Sequence, residues 1–172
     1  MNFKSISFLI VIACFSFNFY GQSKHGKTYK YPNYDGLVMA GYQGWFRAPG
    51  DGSGKGWGHY GSGGKFDKDH NTIDFWPDVS EYKKTYETSF KYANGTKARV
   101  FSSVDKSTTD LHFKWMKDYG VDGVFMQRFF NVARNYDNPK KSQDVILKNA
   151  VAAAEDNGRA IAVMYDLSGL NA

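Results

Sequence analysis

Polar side chains that suit the binding of a polyol stand at the carboxyl ends of four otherwise apolar runs. The residues at these ends are Tyr42 and Gln43, Asp105, Gln127 and Arg128, and Tyr165 and Asp166. Polar groups inside a buried strand reduce stability unless they are paired or solvated, so their position at the ends points to a shared, solvated edge. Convergence at one edge predicts a cleft that binds sugar hydroxyls. The alternative is that Arg128 pairs with Asp166 or Asp105 and only closes the end of the sheet.

A glycine-rich segment, residues 47–77, contains two further candidate binding residues, Trp57 and His59. Connections of this length in a compact domain are commonly functional or disordered. In α/β folds, the loops that follow the strands cover the edge where ligands bind. We expect residues 57–60 to roof the cleft, with the Trp57 ring against a sugar face and His59 on a hydroxyl. The alternative for His59 is a solvated loop residue.

Other patterns that resemble nucleotide-binding or metal-binding motifs lack the spacing or the structural context that those motifs require. Residues 56–61 match GxGxxG, but they lie within a loop instead of between a strand and a helix. In residues 51–55 a lysine stands where a calcium loop needs an oxygen ligand. No two of the four histidines have the i, i+4 spacing of a helical metal site, and His112 is predicted to be a surface or boundary residue. We therefore expect no metal and no cofactor.

The overall composition is that of a globular protein, with 42% hydrophobic and 23% charged residues. Aromatic residues reach 17%, a surplus that indicates either a sugar-binding surface or an aromatic-rich core. The net charge is +5, but the basic residues are scattered and form no stripe. A nucleic-acid partner is therefore not expected.

The elements that position the candidate residues alternate between strand and helix. Predicted parallel strands, covered on both faces, cover residues 37–46, 98–104, 121–130 and 160–167. Helical periodicity covers residues 107–119 and 141–157, and a weaker helical pattern over residues 79–90 precedes a turn at Asn94 and Gly95. This order predicts βαβ units, either as a small open sheet or as half of a barrel, since a complete barrel needs about 250 residues.

The first residues differ from the rest of the chain. Within residues 1–21 Lys4 is the only charge and residues 6–19 are largely apolar, which predicts a secretory signal peptide cleaved near Gly21. Residues 11–14 also resemble a lipoprotein box, so the alternative is an outer-membrane lipid anchor on Cys14. Either reading predicts a secreted, periplasmic or cell-surface protein. Residues 22–36 would be an N-terminal extension and residues 37–172 the domain.

Four ordered motifs resemble family 99 glycoside hydrolases and their relatives in family 71. They are VMAGYQGWF at residues 38–46, FWPDVSEY at 75–82, VDGVFMQRF at 121–129 and YDLSG at 165–169. The resemblance implies a (β/α)8 barrel, of which this chain would be the N-terminal half, with about four parallel strands and three helices. It also implies retaining hydrolysis of internal α-mannosidic bonds. Some bacterial relatives are named xylosidase/arabinosidase, so the substrate does not follow from the match.

The resemblance also implies roles for individual residues. Substrate contact is expected of Tyr42, together with Gln43 and Trp45. Because side chains alternate along a strand, Tyr42 and Gln43 cannot both face the cleft in a regular strand. We expect Tyr42 to face it and Gln43 to support the backbone.

The catalytic carboxylates are expected outside this sequence. In the family, two closely spaced glutamates lie well beyond the fourth strand, which places them past Ala172. Glycoside hydrolysis uses two carboxyls about 5–10 Å apart, and the candidates here, Asp105 and Asp166, lie on different strands and suit a structural or accessory role. The expectation is a glycoside hydrolase for α-linked glycans whose chain alone is inactive. The alternative is a non-catalytic glycan-binding or remnant domain at the cell surface.

The complete predicted substrate-binding set joins the strand ends and the loop. The partner would be an oligo- or polysaccharide. Its contact residues are predicted to be Tyr42, Gln43, Trp45, Trp57, His59, Gln127, Arg128, Tyr165 and Asp166.

Overall fold

The computed structural model describes residues 30–133, 142–168 and 170. The predicted signal peptide, the possible lipid site at Cys14 and residues 22–29 of the extension lie outside the described residues. Within the described part, no helix combines the length and the apolar character needed to cross a membrane.

The described residues form a mixed α/β structure with five strands. In chain order the elements are β1 Met39–Tyr42, β2 Tyr86–Lys91, β3 Lys97–Val100, α1 Lys106–Asp118, β4 Gly123–Phe129, α2 Phe130–Ala133, α3 Ser142–Asn157 and β5 Ala160–Asp166. Strands β1, β4 and β5 form a parallel sheet with β4 in the centre, so the predicted parallel α/β arrangement is confirmed for three strands.

One face of the parallel sheet is covered by α1 and α3, which also pack against each other. The sheet contributes Tyr42, Val124 and Met126, which alternate with residues on the other face because the side-chain period of a strand is two. Phe113 from α1 and Ile146 from α3 fill the space between the layers. Three buried alanines of α3, namely Ala150, Ala153 and Ala154, allow this helix to approach the sheet closely.

The predicted second parallel strand and the predicted helix over residues 79–90 are both wrong. Strands β2 and β3 pair antiparallel as a hairpin, with Tyr86 opposite Val100, in a separate two-stranded sheet. The turn that joins them contains Asn94 and Gly95, and Gly95 has a φ of 83°. Period-two alternation places Thr88, Ala98 and Val100 on the buried side. The described residues therefore hold three parallel strands, two long helices and the single-turn α2.

The glycine-rich segment folds onto this hairpin around an aromatic core. Tyr60 and Phe66 from the segment pack with Val100 of β3, and Phe46 and Trp57 lie against them. The Tyr60 hydroxyl donates a hydrogen bond of 2.8 Å to the carbonyl oxygen of Phe101. We call this group, with its partly buried neighbours, the aromatic core. The surplus of aromatic residues is thus largely accounted for by packing.

A buried carboxylate ties the start of the same segment to the residues after β3. Asp51 is 5% exposed and accepts hydrogen bonds from the Ser102 hydroxyl at 2.8 Å and from the backbone N–H groups of Ala48 and Ser53 at 3.1 Å and 2.8 Å. Burial alone would raise the pKa of Asp51, but these hydrogen bonds outweigh it and lower the pKa. Asp51 is therefore ionised and structural.

Replacing Asp51 should destabilise the protein through this tether. We expect Asp51→Ala to lower the free energy of unfolding by about 2 kcal/mol, because three donors lose a charged acceptor and the Ser102 hydroxyl is buried. Chemical denaturation monitored by circular dichroism measures the change. The control is Asp69→Ala, whose side chain is 66% exposed and should have little effect. Equal stability of Asp51→Ala and wild type would contradict the role given to this carboxylate.

Candidate functional site

A row of side chains connects the carboxyl ends of the three parallel strands. The Gln43 amide nitrogen donates to the Gln127 side-chain oxygen at 3.1 Å, and the Gln127 nitrogen donates to an Asp166 carboxylate oxygen at 2.7 Å. Hydrogen bonds from Ser168 lower the pKa of Asp166, so this carboxyl is ionised. We call Gln43, Gln127 and Asp166 the amide–carboxylate row. The predicted convergence of these three residues at one edge is what the structure contains.

Tyr42 lies at the same edge but on the opposite face of the sheet. Its side chain packs in the core against Phe113 of α1 and is 8% exposed. The register that pairs Tyr42 with the buried Met126 puts Gln43 on the other face, with Gln127. The expectation that Gln43 only supports the backbone is therefore corrected, because its side chain belongs to the polar row. Tyr42 turns to the helix-covered face, where its ring still lines the pocket described below.

His112 connects two tyrosines that are distant in sequence. Its Nδ1 lies 3.0 Å from the Tyr42 hydroxyl and its Nε2 lies 2.6 Å from the Tyr82 hydroxyl. Burial lowers the pKa of His112 to about 4 and raises the pKa of Tyr42 to about 12. A neutral imidazole donates one hydrogen bond and accepts one, so one tyrosine donates to the ring and the other accepts from it. The sequence-based prediction of a surface or boundary histidine missed this chain of hydrogen bonds.

A cavity of about 320 Å³ opens beside the end of β1. We call it the main pocket. Its lining combines aromatic rings with polar groups, the most prominent being Tyr42, Gln43, Trp45, His59, Phe101 and His112. Aromatic rings together with a few fixed polar groups are what a ligand pocket requires to bind and orient a small molecule.

Trp45 and His59 meet at the wall of this pocket. Their ring centroids are 4.8 Å apart, and Trp45 also stacks on Phe129 at 5.2 Å. His59 has a φ of 60°, an uncommon conformation for a residue other than glycine. Burial, followed by the nearby charge of Arg47, lowers the pKa of His59, which favours the neutral ring. The loop thus reaches the carboxyl edge as predicted, through His59.

Trp57 occupies a different position from its loop neighbour. It packs edge-on against Phe66 at 5.2 Å and Tyr60 at 6.2 Å within the aromatic core. It does not line the main pocket. The expectation that Trp57 roofs the cleft is therefore corrected. Packing among other aromatic rings stabilises the Trp57 side chain more than exposure to solvent as a platform for a sugar would.

Arg128 and Tyr165 lie on the helix-covered face, away from the row. Arg128 pairs with Asp144 of α3. This differs both from the predicted role in substrate binding and from the alternative pairing with Asp166 or Asp105. Tyr165, its register partner on β5, is 52% exposed at the edge of the sheet. Asp105 is held by the Lys84 amine at 2.8 Å and the Tyr86 hydroxyl at 2.7 Å. Arg128, Tyr165 and Asp105 do not line the main pocket, and of the amide–carboxylate row only Gln43 does.

Within the described residues, no group of three or more histidine, cysteine or acidic side chains is arranged to hold a metal ion. Comparisons with models of known protein families, with curated proteins and with solved structures find no match for this chain.

The partly buried, neutral His112 predicts a loss of stability on acidification. Its pKa is 6.5 in an ordinary environment and about 4 in the fold, so the unfolded chain binds more protons within that window. Between about pH 7 and about pH 4.5 the free energy of unfolding should fall by about 2–3 kcal/mol on account of this group.

Urea denaturation at several pH values tests this. His112→Gln should be less stable than wild type at neutral pH, but its stability should change less across the same window, because the amide does not titrate. Parallel pH dependence in the two proteins would contradict burial of a neutral His112.

Proposed function

We propose that the protein binds a saccharide in the main pocket, as part of a glycoside hydrolase for α-linked glycans resembling family 99. The observation that carries the proposal is the amide–carboxylate row beside a pocket walled by Trp45 and His59. Amide and carboxylate groups bind vicinal hydroxyls with fixed geometry, while an aromatic ring packs against the apolar face of a sugar.

The arrangement of the elements supports a barrel as the larger architecture. Three parallel strands follow one another across the sheet in chain order, with α1 and α3 on one face. In a (β/α)8 barrel the helices are outside and the loops after the strands form the active site. The amide–carboxylate row would then point into the barrel at that end. Partly exposed Phe125 and Met164, on the face without helices, are consistent with further covering by barrel strands.

Catalysis would need carboxylates that the described edge does not supply. Asp166 is the only carboxylate in the row, and Asp105 is occupied by Lys84 and Tyr86. Hydrolysis with two carboxyls flanking one bond therefore requires at least one further acid. The same observation favours the second candidate, a non-catalytic glycan-binding protein. In either case we propose an extracytoplasmic location, reached through residues 1–21 or an anchor on Cys14.

Removal of Trp45 should weaken saccharide binding. We expect calorimetric titration with an α-linked mannotetraose to give an affinity about tenfold lower for Trp45→Ala than for wild type, because the ring face is lost. Trp76→Ala is the matched control, since Trp76 packs with Phe90 and Tyr92 away from the pocket. Equal losses in both variants, or no binding by wild type, would count against the proposed site.

Turnover separates the two candidate functions. The 172-residue chain should release no aryl group from an aryl α-mannoside and no sugar from α-mannan, because the row holds a single carboxylate. Liquid chromatography of the products measures this directly. Turnover that disappears in Asp166→Asn would show instead that Asp166 belongs to a working catalytic pair.

A further inference from the structure

A second, smaller cavity of about 50 Å³ adjoins the main pocket. The two share Gly44, Trp45 and His59 as lining residues. The wall that is specific to the small cavity includes Arg47 and Ser142. A ligand that stacks on Trp45 would therefore have a guanidinium within reach on one side.

Arg47 carries a positive charge without a protein counter-charge among the described residues. No described carboxylate lies within ion-pair distance of it, whereas Arg99 and Arg128 have acidic partners there. Its Nε is buried and makes no hydrogen bond within the described protein. A buried donor or charge without a partner costs stability, which makes the position of Arg47 unusual for a purely structural arginine.

Gly58 holds the guanidinium in this position. The backbone N–H and carbonyl groups of Arg47 and Gly58 pair with each other in both directions at 3.1 Å. A Cβ on Gly58 would lie 2.6 Å from Nε and 2.9 Å from one terminal nitrogen of Arg47. The guanidinium thus rests on the bare backbone of a glycine, and any side chain there would displace it.

The described lining of the two cavities brings no competing negative charge to Arg47. Among the described residues that line the two cavities there is no aspartate or glutamate. The nearby Asp51 is already engaged by Ser102, Ala48 and Ser53. Ser142, which is 3% exposed, begins the 16-residue helix α3, and the start of a helix adds positive potential. Asp144 in the first turn of this helix is paired with Arg128.

We propose that the site selects saccharides that bear an anionic substituent, with the charged group in the small cavity against Arg47 and the sugar ring beside Trp45. This inference rests on the proposed saccharide binding and names its substrate class. The shared chemistry is a carboxylate or a sulfate ester on the sugar, since either can accept charge-assisted hydrogen bonds from a guanidinium. The small cavity accommodates such a group and is far smaller than the pocket for the ring.

Calorimetric titrations with three tetrasaccharides of equal length test the proposal: one neutral, one containing a uronic acid and one carrying a sulfate ester. Wild type should bind at least one acidic saccharide about tenfold or more tightly than the neutral one, and this ratio should fall as salt is raised. The arm that shows the preference identifies the anion as carboxylate or sulfate.

Two variants locate the effect. Arg47→Gln removes the charge, and Gly58→Ala keeps the charge but displaces the guanidinium, so both should bring the ratio of acidic to neutral affinity close to one. Arg99→Gln, on the hairpin and paired with Glu87, should leave the ratio unchanged. Thermal melts verify folding, and if Arg47→Gln does not fold, Gly58→Ala and the salt dependence of wild type decide the question.

The outcomes are distinct for the two proposals. Equal affinity for neutral and acidic saccharides, or a preference that survives in the folded Arg47 and Gly58 variants, overturns the anionic selectivity while leaving saccharide binding intact. Failure of all three saccharides to bind overturns the proposed function and this inference with it.

Discussion

The packing of Tyr60 against Phe46 holds the glycine-rich segment against the carboxyl edge of the sheet and so positions the loop side of the main pocket. Phe46 follows the end of β1, and its ring centroid is 4.6 Å from that of Tyr60. Tyr60 is in turn fixed by its hydrogen bond to the backbone after β3. This contact joins the glycine-rich segment to the carboxyl edge of the parallel sheet. His59 and Gly58 precede Tyr60 directly, so their contacts with Trp45 and Arg47 depend on it.

The polar residues on the two faces of the parallel sheet have different roles. The face without helices carries Gln43, Gln127 and Asp166, whose hydrogen bonds leave further donors and acceptors for a ligand. On the helix-covered side, Tyr42 and His112 hydrogen-bond to each other in a partly buried chain, and both also line the main pocket. Because desolvation favours the neutral imidazole, this chain holds without an ion pair. The helix-covered face thus gives rigid support, while the polar groups on the other face keep donors and acceptors for a ligand. This arrangement is expected of a binding site on a scaffold.

Sequence patterns were sufficient for the features that depend on local periodicity. The parallel βαβ order and the meeting of Gln43, Gln127 and Asp166 follow from apolar runs that end in polar residues. The Asn94 and Gly95 turn carried the hairpin signal, but the adjoining segment was assigned to a helix although residues 86–91 are rich in β-formers.

The face taken by Tyr42 depends on strand register, and the burial of His112 depends on how α1 is rotated against the sheet. Neither is encoded in local spacing. Trp57 and His59, two residues apart, fill different environments because the chain turns sharply at His59.

Hydrogen exchange with mass spectrometry, in the presence and absence of the bound tetrasaccharide, tests the location of the site most directly. Exposed loops exchange quickly, and a ligand slows exchange where it contacts or orders the backbone. The account predicts protection in peptides covering residues 43–47 and 57–60, and little change in the hairpin at residues 86–100. Protection confined to the hairpin or to the exposed aromatic surface around Phe75, with none at residues 43–47, would contradict a saccharide site at the carboxyl edge of the sheet.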